Sequence, residues 1–227
     1  MKRVFQIVLV ILVVFLAILA FRSIMRPEKF RLVYELRKSE IRNRLTTIRV
    51  AQAVYKSEYQ MFATHIDTLV NFVNNGMVTV VKNVGTIPEN MSEADAFKAG
   101  LIKKEVSHIP AKDKILETDP LLATYIKDFQ FIPFNDGKKF EIQSGTLKSS
   151  SYNVPVYKIE VPLDEILANM DESIIPENMG LFKSALSRLI YNGLSEEKQY
   201  KKLYKDMYMG SLIEASTAGS WEIFGDN

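Results

Sequence analysis

The residues able to do chemistry are few and scattered. Ser195-Glu196-Glu197-Lys198 satisfies Ser-x-x-Lys, a spacing in which a lysine can take the proton of a serine nucleophile. The pattern is short, its companion motifs are missing, and Ser195 stands where a helix cap belongs, so it is read as a cap. The chain has only two histidines, His65 and His108, and they form no i,i+4 metal pair. His65 is expected at the start of a helix and His108 in a strand. Without cysteine the usual zinc and iron–sulfur ligand sets are excluded. A carboxylate-only calcium site stays open, although Asn135-Asp136-Gly137 and the residues after it lack EF-hand spacing. There is no phosphate-binding glycine loop and no nucleophile elbow. No catalytic, cofactor or metal residue is assigned, and the chain is not read as an enzyme.

One cluster offers recognition rather than catalysis. Lys198, Lys201, Lys202 and Lys205 are interleaved with Tyr200, Tyr204 and Tyr208, a pattern that can serve nucleic acid or anionic lipid. Glu196, Glu197 and Asp206 dilute that charge, and the whole chain carries a net charge of only +2. An amphipathic helix explains the cluster better, and no nucleic-acid partner is expected. Tyr200, Tyr204 and Tyr208, with Trp221, form a candidate C-terminal interface, since exposed tyrosine and tryptophan favour protein contacts.

The elements that must position these groups begin with the amino terminus. The first 75 residues contain no glycine and a single proline, Pro27. Val4 to Phe21 is apolar except for Gln6 and, as a helix, would be roughly 27 Å long, close to the thickness of a bilayer core. The run is longer than a signal-peptide core, and Ile18 makes a poor cleavage site near Ala20, so an uncleaved anchor is expected. Arg22, Arg26, Lys29 and Arg31 after the span argue for a cytoplasmic domain, but long domains cross largely regardless of nearby charge. Absence of cysteine suits an oxidising compartment. The reading is a single-pass protein of the inner (cytoplasmic) membrane with a periplasmic C-terminal domain.

Beyond the span, Phe30, Tyr34, Ile41, Leu45, Ile48, Tyr55 and Tyr59 recur at spacings of three, four or seven, as one stripe of a long helix. Arg37 and Gln52 break it as a coiled-coil seam. The stripe either packs on the protein's own sheet or forms a stalk interface through Tyr34, Ile41, Leu45, Ile48 and Tyr55. Pro27 can start or kink this segment. About 165 residues follow, enough for one core or two small ones.

In the head, Thr64 and Asp67 suggest a cap for a helix stopped by Gly76, and the run from Met77 to Val84 reads as a strand. Ser92 opens a short helix ending at Gly100, and the run from Leu101 to Pro110 is strand-like. Asn135-Asp136-Gly137 lies between two β-prone runs as a hairpin turn. The run from Ser151 to Pro162 adds a strand with prolines near its ends. From Leu163 onward the pattern turns helical, through Tyr208, and a final strand is expected over Ala215–Phe224. The predicted class is α+β: an N-terminal transmembrane helix continuing into a long amphipathic helix, then a mainly antiparallel sheet with packed helices. The predicted regions are an anchor (1–27), a helical stalk (28–62) and an α+β head (63–227).

A basic leader, an apolar helix, a nearby proline, an amphipathic continuation and an α+β head together resemble type IV pilins and type II secretion pseudopilins. The run from Ile48 through Tyr55-Lys56 to Gly76 resembles their helix-to-head transition, and the similarity covers roughly the first 80 residues. The chain lacks the glycine that precedes the processed terminus and the early glutamate of that family; Gln6 is the sole polar residue there. The resemblance implies a filament subunit. The leading expectation is a non-enzymatic subunit of an envelope complex for secretion, transport or energy coupling, bound to inner-membrane or periplasmic proteins and to the bilayer through residues 4–21. A pseudopilin-like filament component and a membrane-tethered hydrolase are the alternatives.

Overall fold

The computed structural model describes residues 2–86, 91–148, 153–171 and 204–223, with backbone alone at 19, 20, 22–27, 93 and 94. Helix α1 runs from Lys2 to Tyr59 as a single element. Its helical backbone continues through Pro27, in keeping with the expected continuation of the first segment into the second. Gln60, with φ 59°, ends α1. There follow α2 (Ile66–Asn75), β1 (Met77–Gly85), α3 (Glu93–Lys98), β2 (Ile102–Pro110) and α4 (Ala111–Thr118). A 3-10 turn over Pro120–Thr124 leads on to β3 (Ile142–Lys148), β4 (Asn153–Val161), α5 (Leu163–Ile166), β5 (Met207–Gly210) and α6 (Ser220–Ile223). The class is α+β. β1 and β2 form an antiparallel ribbon, and β4 stands between its antiparallel neighbour β3 and β5 in the second sheet.

Among the described residues no helix is long and apolar enough to cross a membrane.

The chain divides into two compact units. The first comprises residues 1–41, 133–138 and 161–207. Its buried side chains include Phe30, Tyr34, Ile41, Leu163, Ile166 and Met170. α5 is too short to be stable alone, and remote charges hold both its ends. The Leu163 N–H donates to Asp206 Oδ1 at 2.7 Å, and Arg37 receives the carbonyls at the other end. An acid at the N-terminus and a cation at the C-terminus match the helix dipole.

The second unit comprises residues 42–132, 139–160 and 208–227. Leu45, Ile48 and Ala51 of α1 are buried, as are Leu69, Phe72 and Val73 of α2, Ile115 of α4 and Val156, Tyr157 and Ile159 of β4. Phe62 meets the Tyr157 ring edge-on, centroids 4.6 Å apart.

Several local expectations need correction. Thr64 does not cap α2: His65 occupies the N-cap without a side-chain bond, and Asp67 instead pairs with Lys139 at 2.6 Å. The Asn135-Asp136-Gly137 turn is present, with Gly137 at φ 77° and the Lys138 N–H bonded to the Asn135 carbonyl. Its flanks pair only at Phe131 and Lys139, and the next strand starts at Ile142. Pro133 has no N–H to continue a ladder, and Phe129 and Ile132 are buried at a spacing of three, not two. The helix expected through Tyr208 gives way to β5, where Met207 and Met209 are both buried in the alternation of a strand. The final strand is reduced to one bridge, Met209 to Gly219; the Gly219 N–H then bonds Glu222 and opens α6. The expected helices over 178–192 and 195–203 lie outside the described residues.

Candidate functional site

The sequence leaves α1 as the element most able to carry function, and its side chains fall into two environments. In its first part Val4, Phe5 and Ile7 to Leu16 are apolar and exposed, with Ile18 and Phe21, at between 49% and 70% of their surface. A helix that buries one face on its own protein leaves a mixture of exposed and covered positions. Here every described large apolar side chain is open.

From Phe30 onward the pattern reverses. Phe30, Tyr34, Arg37, Ile41, Leu45, Ile48 and Gln52 are all buried. Their steps are four, three and four, repeated, and so return after eleven residues, from Phe30 to Ile41 to Gln52, close to the 3.6-residue helical repeat. The stalk candidates Tyr34, Ile41, Leu45 and Ile48 are thus interior positions of the fold, while Tyr55 is half-buried. The Tyr55 ring lies 4.5 Å from Tyr59 and 5.0 Å from Phe72. Among the described residues of α1 after the span, the exposed large apolar side chains are Leu32, Leu36 and Tyr59.

Both residues that spoil the coiled-coil seam have interior partners. Arg37 Nη1 donates to the Ile166 and Ala168 carbonyls at 3.0 and 2.5 Å, and Nη2 to the Asn169 carbonyl at 3.3 Å. Its guanidinium also lies 5.0 Å from the Phe134 ring centre. Burial lowers the Arg37 pKa from its ordinary value, and the three carbonyls face its charge. Gln52 bridges one residue, accepting from the Ala63 N–H at 2.8 Å and donating to its carbonyl at 3.1 Å. Sequence reading missed these roles; the signal was their registration with the buried stripe.

Of the C-terminal candidates, Tyr204 belongs to the first unit, and Tyr208 and Trp221 to the second. Tyr200 lies outside the described residues. Tyr204 meets Phe30 and Tyr34 edge-on at 4.9 and 4.7 Å, and burial followed by the Glu35 charge raises its pKa. Tyr208 belongs to β5, with Lys158 Nζ 5.8 Å from its ring centre. Trp221 belongs to α6 and packs across Gly219, where an added Cβ would come within 2.4 Å of the indole. Next to it Glu222 pairs with Arg49 at 2.6 Å, which holds its carboxyl below the usual range.

His65 opens α2 and His108 lies in β2, as expected. The Ser195–Lys198 motif lies outside the described residues. Among the described residues no His/Cys/Asp/Glu group could hold a metal ion. A cleft of about 340 Å³ opens in the second unit between α1 and the 3-10 turn, lined by Asn43, Thr46, Asp119, Leu121, Leu122 and Tyr125. Two of its polar groups are engaged locally: Asn43 Nδ2 donates to Tyr125 Oη at 2.8 Å, and Asp119 Oδ1 accepts from the Leu121 N–H at 3.0 Å.

No family model, no curated protein and no solved structure matches this chain.

Proposed function

We propose that the protein is a non-enzymatic, single-pass membrane subunit of a multiprotein envelope complex, acting through protein–protein contact. The carrying observation is the amino-terminal part of α1, whose described large apolar side chains are all exposed. Such a surface is costly in water, at ~25 cal/mol per Å², and lipid covers it without a specific partner. The sequence continues apolar to Phe21, the length of a bilayer core, and basic residues follow. The larger domain is assigned to the periplasmic side of the inner membrane.

Membrane fractionation of cells making the full chain tests the anchor. The protein should stay in the pellet through alkaline carbonate washing, and deletion of residues 4–21 should release it. A full-length chain in the soluble fraction would overturn the reading. A gentle-detergent pull-down then tests complex membership, with stoichiometric membrane or periplasmic partners expected.

The unbroken course of α1 also favours a second reading, a pseudopilin-like filament component. Mass spectrometry of the amino terminus separates the two: an intact start supports the complex subunit, and a trimmed, methylated one the filament.

A further inference from the structure

The β1–β2 ribbon is exposed beyond its base. Val78 is buried, but Val81 and Val106, directly opposite each other, are 53% and 57% exposed, and Val84 is open on the other face. A two-stranded ribbon alone is marginally stable in water. Among the described residues the ribbon is a two-stranded sheet, so each strand has an outer edge.

Hydrogen bonding fixes which groups point outward. The Ala111 N–H bonds the Gly76 carbonyl at 2.9 Å, and the Thr79 N–H turns away from β2 to Glu58 Oε2 at 3.0 Å. Antiparallel pairs alternate between bonded and non-bonded. The outward amides of β2 are therefore those of Ile102, Lys104, Val106 and His108. The β1 edge is occupied at its base by Glu58. On the β2 edge, Lys104, Val106 and His108 find no backbone partner among the described residues.

We propose that the β2 edge pairs antiparallel with the β2 edge of a second copy, joining two ribbons into a four-stranded sheet about a twofold axis at Lys104. Alternation requires outward residues to face outward residues, so the axis falls on one residue of the strand. With the axis at Lys104, Lys103 stands opposite the partner's Glu105 and Glu105 opposite the partner's Lys103. Within its own ribbon Lys103 faces Val84 and Glu105 faces Lys82, and neither Lys103 nor Glu105 makes an ion pair within 4 Å among the described residues. An axis at Glu105 would set two carboxylates together with Lys103 facing Ser107 and no ion pair to offset them; one at Val106 would leave Lys103 and Glu105 facing Ile109 and Ser107. With the axis at Lys104 the two Lys104 ammoniums also meet, a like-charge contact offset by the two Lys103–Glu105 pairs, and each ammonium lies 5.4 Å from its own Phe97 ring centre. The pairing does not depend on the membrane anchor.

The chain has no cysteine, so one introduced thiol reports the axis directly. Bonded antiparallel partners have Cα atoms about 5.5 Å apart, within disulfide reach. Full-length Lys104→Cys in mild detergent should form a disulfide-linked dimer under gentle oxidation, and Val106→Cys should not. Adding Lys103→Glu to Lys104→Cys should slow cross-linking at least tenfold, by setting two carboxylates opposite each other. All these positions are exposed, so far-ultraviolet circular dichroism should be unchanged. A folded Lys104→Cys protein that stays monomeric overturns the proposal, as it would if the edge instead received a strand of another protein. Faster cross-linking through Val106→Cys overturns the register.

Discussion

Arg37 turns a coiled-coil defect into an internal fastening, joining α1 to the carbonyls that α5 leaves open. Removing the guanidinium strands those carbonyls in a buried place. Arg37→Met keeps much of the volume and should cost about 2–4 kcal/mol, read as a lower urea midpoint. Arg37→Lys should recover only part, because one ammonium cannot reproduce the fork. The Arg49–Glu222 pair gives a smaller, pH-dependent effect. Arg49 depresses the Glu222 pKa below the ordinary carboxylate value of 4.5, so the pair stabilises above that pH. Its contribution falls as pH drops through the lowered folded-state value. Both groups are partly exposed, which limits the effect to about 1 kcal/mol or less. Glu222→Gln should therefore destabilise at pH 7 and make no difference near pH 2, as followed by thermal melts at both pH values.

At the scale of elements, the buried and open faces of α1 separate folding from recognition. Ile48→Asp places a charge in the interior and should destabilise by more than about 3 kcal/mol, seen as lost cooperative melting. Leu36→Asp lies on the open side, so its melting should be unchanged and any lost pull-down partner would be a direct contact. β1, β2 and β4 were readable because strand runs ended at glycine or proline, and α3 because Ser92 bonds the Asp95 N–H. β5 was not readable: Tyr208 continues the helical stripe of Tyr200 and Tyr204 in the sequence, while Met207 and Met209 alternate as a strand. Tertiary burial decided between two equally good local patterns. The stripe of α1 was legible from spacing, but Arg37 and Gln52 looked like interruptions because their partners lie at remote backbone. Pairing of the ribbon edge was invisible to sequence, since alternation of amide direction depends on register.

Across the whole molecule, the proposed anchor and periplasmic placement make one topological statement. Protease added to cells with an opened outer membrane should degrade the larger domain and leave the amino-terminal segment protected. Complete resistance with the inner membrane intact, and digestion once it is broken, would place that domain in the cytoplasm. The continuity of α1 also fixes an azimuth. Each helical residue turns the axis by about 100° and advances it 1.5 Å, so the apolar segment cannot rotate independently of Phe30, Tyr34 and Ile41. A neighbouring helix in the bilayer would meet one fixed flank of this segment. One residue inserted between Phe21 and Phe30 would swing that flank away, while seven would return it to within about 20° at a greater depth. Loss of partner binding with one inserted residue and recovery with seven would identify the shaft as a rotational gauge, where a flexible tether would be indifferent to both.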